Sequence, residues 1–148
     1  MKLIASVFGI GYIKGGGTIA AIVTCPFIYF AWQQPWAINP VYLLVITLLI
    51  TMLGVYAGNK VEPFWGKDSY RVVIDEVAGM LFSILFIPTN LYYLLGGLVL
   101  FRFFDIVKPL GVRKMEVFKG GVGVMADDVL AGIYANIVLQ VIVHFVKI

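Results

Sequence analysis

Charge is scarce in this chain. Only 13% of its 148 residues are Asp, Glu, Lys or Arg, against about 25% in ordinary soluble domains. With 61% hydrophobic residues and a mean hydropathy of +0.99, a domain of this size has no polar surface large enough to face water. The single cysteine, Cys25, excludes an intrachain disulfide framework. It also sits inside an apolar run with no arginine in a C-x5-R loop, which argues against a cysteine phosphatase. The only histidine, His144, lies near the end of the last apolar run, far from the acids, which argues against a histidine nucleophile. No G-K-[ST] loop, H-E-x-x-H or D-x-D-x-T occurs. Nor does the D-G-x2-A-R…G-x3-D-x3-D pattern of headgroup transferases. A net charge of +3 is too small to suggest nucleic acid.

What is present is apolar sequence in long runs. Five are legible: Thr18–Trp32, Pro40–Gly58, Val72 to Ile87 or Pro88, Leu91–Val107, and Val122–Val146. A straight span needs ~20 residues, so the first, third and fourth are short, as spans beside a binding site often are. Met1–Ile13 has no clear cleavage site and reads as an interfacial segment. The expected fold is an all-α polytopic membrane protein. It is one integral membrane domain over residues 1–148, with about five membrane helices, the interfacial N-terminal segment and a basic interfacial segment over Lys108–Gly120.

The loops orient it. Gln33–Asn39 and Pro88–Asn90 carry no charge, whereas Asn59–Arg71 carries Lys60, Lys67 and Arg71, and the last loop carries Lys108, Arg113, Lys114 and Lys119. The positive-inside rule puts the basic loops and the N-terminus in the cytoplasm.

The acids then fall into place. Asp75 and Glu76 open the third run, Asp105 closes the fourth, and Asp127 and Asp128 open the fifth. All five belong at the cytoplasmic membrane edge, where a carboxylate in hydrocarbon costs on the order of 3 kcal/mol. Helix N-termini tolerate an acid, but that accounts for one per helix, not two pairs plus Asp105. Packed together, they require cations. Lys14, Arg102, Lys108 and a divalent metal are the candidates. An all-oxygen donor set favours Mg²⁺, and a structural ion-pair network is the alternative. The two stretches Asp75–Gly79 and Asp128–Gly132 echo one another, each placing Ala and Gly three and four residues after an acid. Such small-residue faces allow close helix approach and are compatible with a homodimer.

Lys14-Gly15-Gly16-Gly17-Thr18 precedes a helix, where glycine-rich backbone can offer N–H groups to a phosphate. A flexible turn explains it equally well. Gly120-Gly121-Val122-Gly123 is ambiguous in the same way.

Three strings resemble the phosphatidylglycerophosphatase A family: Ile74–Met80, Phe101–Pro109 and Gly120–Gly132. The N-terminal motif departs from the family pattern. Lys14, Gly17 and Thr18 match, but Gly16 stands where a proline is usual, and Ala20 and Ala21 where Gly-Ser is usual. The resemblance implies a Mg²⁺-dependent enzyme of the bacterial cytoplasmic (inner) membrane, its active site facing the cytoplasm. It would convert a phospholipid substrate, phosphatidylglycerophosphate, to phosphatidylglycerol and inorganic phosphate, in phosphatidylglycerol and cardiolipin biosynthesis. On that reading Asp75, Glu76, Asp105, Asp127 and Asp128 form the catalytic and metal shell. Lys14, Arg102, Lys108, Gly17 and Thr18 contact phosphate, with Arg102 equally suited to partner Asp105. The nucleophile is water or an aspartate. The rival reading is a small cation carrier or channel subunit, since buried acids suit an ion path; the nearly apolar outer half argues against it.

Overall fold

A computed structural model describes residues 1–146. Its helices are α1 (Lys2–Ala5), α2 (Gly16–Trp32), α3 (Pro40–Trp65), α4 (Ile74–Ser83), α5 (Leu91–Val107) and α6 (Gly120–Phe145). Short 3-10 turns cover Ile10–Tyr12, Pro35–Ile38 and Val112–Val117, and no strand occurs among the described residues.

Local chemistry starts several of these helices. Asn39 accepts a hydrogen bond from the Val41 N–H at 3.0 Å, with Pro40 at the first helical position of α3. Asn90 accepts from the Tyr92 N–H at 2.8 Å and starts α5. The start of α6 is capped from a distance: Asn59 Oδ1 of α3 accepts from the Gly121 N–H at 2.7 Å.

Two helices, α3 and α6, are long and apolar enough to cross a membrane. At 26 residues each they reach ~39 Å, beyond the ~30 Å of hydrocarbon. Their apolar side chains are not a soluble core, because only 22% and 28% of the spanning windows are buried. Leu49 and Met52 on α3, Phe27 on α2 and Val99 on α5 all face outward, as a bilayer requires. The expected count of five spans is not reproduced as five regular spanning helices. α2 and α5 have 17 residues, and the third run contains only the ten-residue α4, ~15 Å long. The basic segment is also not an α-helix but the 3-10 turn Val112–Val117.

α4 is central and packs on α2, α3, α5 and α6. It ends among buried residues, Ser83, Ile84 and Leu85, where orphaned carbonyls have little access to water. Asn136 of α6 meets that need, donating from Nδ2 to the Ser83 carbonyl at 3.1 Å and the Leu85 carbonyl at 2.8 Å. Glycines let the helices cross closely. A Cβ on Gly79 would lie 2.8 Å from the Asp128 carbonyl oxygen, and one on Gly132 would run into the Gly79 carbonyl. α3 crosses α6 in the same way, since a Cβ on Gly58 would lie 2.8 Å from the Gly121 Cα. The main core gathers Met80, Ile84, Leu94, Phe101, Ala131 and Ala135, and a second cluster joins Ala57, Val61, Ile74, Ala78 and Met125.

Candidate active site

The starts of α2 and α4, the first three turns of α6 and the end of α5 meet around one cavity of about 790 Å³. Asp127 and Asp128 do not open α6 as expected but lie about two turns inside it, because the helix begins at Gly120. It is lined by all ten residues singled out from the sequence: Lys14, Gly17, Thr18, Asp75, Glu76, Arg102, Asp105, Lys108, Asp127 and Asp128. Positions 114 residues apart in the chain thus share one chamber.

The carboxylates are not equivalent within it. Asp105, Asp127 and Asp128 each bring one ligand oxygen within 4.8 Å of the others. They are 8%, 8% and 4% exposed, and Asp128 Oδ2 is fully buried without a hydrogen-bond partner. Asp75 and Glu76 line the same cavity but lie outside this triplet. Asp75 Oδ1 accepts from the Glu76 N–H at 2.9 Å.

Two cations are committed to neighbours. Arg102 Nη1 donates to Glu76 and, at 2.6 Å, to Asp105 Oδ2, while Nη2 donates to Thr18 Oγ1 at 3.2 Å. One planar guanidinium therefore ties α2, α4 and α5 together. The Asp105 contact expected of Arg102 is present, and the Arg102 Nε is buried without a hydrogen-bond partner among the described residues. Lys108 is also engaged, at 2.6 Å from Asp127 Oδ2 and 2.8 Å from Glu116 Oε1. Burial works against its ammonium, but these two carboxylates outweigh that cost and raise its pKa above the ordinary lysine value. The same contact holds the exposed Glu116 below the ordinary glutamate range. Lys14 differs: it is exposed, lines the cavity, and has no ion-pair partner among the described residues.

The glycine loop brings backbone close to this charge. Gly15 adopts φ +77° as the residue before α2, a conformation suited to glycine. A Cβ on Gly17 would meet Glu76 Oε1, so a larger residue here would displace the Glu76 carboxylate. At the first turn of α2, the Gly16 and Ile19 N–H groups donate to the Ile13 and Gly15 carbonyls at 2.9 and 3.1 Å, and Gly17 and Thr18 line the cavity.

A lipid phosphatase family matches this arrangement along nearly its whole length: its profile, described as Phosphatidylglycerophosphatase A, covers residues 3–143. This chain belongs to that family. Similar proteins carry matching names. The Escherichia coli K12 phosphatidylglycerophosphatase A is 34% identical over 131 residues, covering 86% of this chain and 74% of that protein. The Haemophilus influenzae phosphatidylglycerophosphatase A is 39% identical over 105 residues, covering 69% and 64%. A Bacteroides thetaiotaomicron protein, provisionally named a phosphatidylinositol-3-phosphatase, is 43% identical over 153 residues, covering 94% and 91%. No solved structure matches. Membership makes this chain an enzyme of the phosphatase class, which sets aside the carrier reading.

Sequence reasoning does not single out Glu116 or Asn136. Glu116 had one available signal, an acid alone in a basic stretch. Asn136, a polar residue in the middle of the last apolar run, is a familiar sign of an interhelical hydrogen bond.

Proposed function

We propose that this enzyme removes the terminal phosphate of phosphatidylglycerophosphate, yielding phosphatidylglycerol and inorganic phosphate. It does so with Mg²⁺ at the cytoplasmic face of the bacterial inner membrane, as a step of phosphatidylglycerol synthesis. The observation that carries the reading is the triplet of Asp105, Asp127 and Asp128 oxygens within 4.8 Å, in a cavity that also holds the unpaired Lys14. The basic loops at the acid end support the orientation. The shorter helices α2, α4 and α5 complete a bundle around the spans α3 and α6.

The donors fit a hard divalent ion. They are all carboxylate oxygens, and the orphaned Asp128 Oδ2 is buried in a place where only a cation or a proton would satisfy it. Bound there, Mg²⁺ would neutralise the acids and polarise the phosphoryl oxygens. The chain's own residues do the rest. Lys14 and the first-turn N–H groups of Gly17 and Thr18 hold the phosphomonoester. Arg102 fixes Glu76, Asp105 and Thr18, and Lys108 fixes Asp127, so the acids are set before substrate arrives. Asp75 stands outside the triplet and outside the ion pairs, which leaves it to accept a proton from the attacking water. Water adds to phosphorus as its proton passes to Asp75, the ester P–O bond breaks, and the headgroup oxygen takes a proton from solvent to leave as the alcohol while Asp75 returns its proton to solvent.

The name of the Bacteroides relative favours a second substrate, a phosphatidylinositol 3-phosphate, which presents the same phosphomonoester on a lipid headgroup. The test is phosphate release by purified protein from each lipid, with Mg²⁺ and with excess EDTA. Mg²⁺-dependent release from phosphatidylglycerophosphate at higher kcat/KM supports the first reading. Preference for the inositol lipid selects the second, and no release from folded protein refutes both.

A further inference from the structure

Resting on that reading, we infer that the groove between α2 and α3 holds one acyl chain of the lipid whose headgroup phosphate occupies the acid cavity. α2 packs on α4 and α5, and α3 packs on α4 and α6, but α2 and α3 make almost no contact with each other. The space between them is an apolar groove of about 510 Å³, within the roughly 300–1,000 Å³ that encloses small ligands. α4 forms its floor through Val77 and Leu81. Ile46 and Ile50 of α3 form one wall.

The groove and the acid cavity share no lining residue but lie in sequence along α2, and Val7, Phe8 and Ile10 of the N-terminal segment also line the groove. On α2, Gly17 lines the cavity, while Ala20, Thr24, Phe27 and Ala31 line the groove. These positions follow three or four residues apart, so they form one stripe along the helix. Gly17 to Ala31 spans ~21 Å along the axis. Val73, the residue before α4, lines the cavity, and Val77 and Leu81 of α4 line the groove. The polar end offers Lys14 and carboxylates; the apolar end offers no charge. The Thr24 hydroxyl is already satisfied, donating to the Ala20 carbonyl at 2.7 Å. A molecule filling both spaces has a charged head and a hydrocarbon tail. Small side chains at Ala20 and Ala31 keep the α2 wall shallow.

The test compares long-chain (dioleoyl) with short-chain (dihexanoyl) phosphatidylglycerophosphate in mixed micelles, for wild type, Ile46→Trp and Ala31→Trp. Filling the groove lowers the long-to-short ratio of kcat/KM by about tenfold or more, a discrimination ordinary for lost apolar fit. An unchanged ratio in folded variants overturns the inference. A second measurement needs no variant. Phosphatidylglycerophosphate with a photoreactive acyl chain is expected to label residues 20–31 and 43–50. Unlabelled phosphatidylglycerophosphate should compete, and phosphatidylcholine should not. Equal labelling by a photoreactive phosphatidylcholine would make the groove ordinary bilayer contact and overturn the inference. Selective labelling of wild type without phosphate release would sustain the groove and refute the proposed reaction, so the two failures are distinct.

Discussion

Replacing Asn136 with leucine tests how a helix can end among buried residues and still hold half of an acidic site. Asn136 carries two hydrogen bonds, to the carbonyls of Ser83 and Leu85. Ser83 is fully buried and Leu85 is 7% exposed, so neither carbonyl gains water when the amide is removed. A buried polar group left unpaired costs ~1–3 kcal/mol, whereas interhelical hydrogen bonds in bilayers average about 0.6 kcal/mol. Two bonds therefore bracket a loss of about 1–6 kcal/mol, from twice the lower figure to twice the upper. Leucine matches asparagine in size and has good helix propensity, so the loss reports the hydrogen bonds and not a cavity.

The assay is unfolding in mixed micelles of dodecyl maltoside and SDS, followed by tryptophan fluorescence. Trp32 packs against the main core and Trp65 against the second cluster, so both halves are visible. A Gln140→Leu control removes only the bond that Gln140 Nε2 donates to Asn136 Oδ1 at 2.7 Å, and should cost less than Asn136→Leu. Stability unchanged to within about 0.5 kcal/mol would mean that the end of α4 is satisfied some other way, and the account of the short helix would fail.

Asp128→Asn should lower Mg²⁺-dependent phosphate release by at least about 100-fold, since even outer-shell changes at metal sites cost 10–100-fold. Circular dichroism should be unchanged, and a near-normal rate would remove Asp128 from the ion's shell. Arg102→Lys should be severely impaired in kcat, because an ammonium cannot span Glu76, Asp105 and Thr18 in one plane; a mild effect would reduce Arg102 to a point charge. Glu116 has a lowered pKa through its Lys108 contact, so the stability it contributes is present above the unfolded glutamate pKa and is lost as pH falls through the folded value. Proteolytic cleavage within 112–117 should rise over that acidic window, and Glu116→Gln should make cleavage insensitive to pH there.

Hydropathy located the helices well where apolar sequence and helix coincide. It expects Thr18–Trp32 and Leu91–Val107, and the helices are Gly16–Trp32 and Leu91–Val107. It errs where they part. α3 runs past Gly58 to Trp65, because a helix leaving the bilayer loses its need for apolar side chains, not its backbone hydrogen bonds. α4 stops at Ser83 although apolar residues continue to Ile87. Its end depends on Asn136, 53 residues away from Ser83, and no local pattern reports such a partner. Convergence of the acids on one depth was legible, because only the ends of runs had to be known. Which oxygens draw together was not, since that depends on rotation about each helix axis.

That rotation gives the paired acids a reason. Adjacent helical residues point ~100° apart, so the two acids of a doublet differ in their remaining partners even where both reach one cluster. About two turns into α6, Asp127 takes the Lys108 contact while the buried Asp128 keeps an unpartnered oxygen, and both bring an oxygen to the triplet with Asp105. At the start of α4, Glu76 takes Arg102, and Asp75 bonds only to the Glu76 N–H. Each doublet thus ties one acid to a cation and leaves the other outside the ion pairs. Seven carboxylates line the chamber, Asp68 and Glu116 among them, against Lys14, Arg102 and Lys108, so acids outnumber cations and a divalent ion would offset part of the excess on the proposed reading. A phosphate dianion entering afterwards would meet less repulsion than in the bare acidic pocket, with the exposed Lys14 beside it.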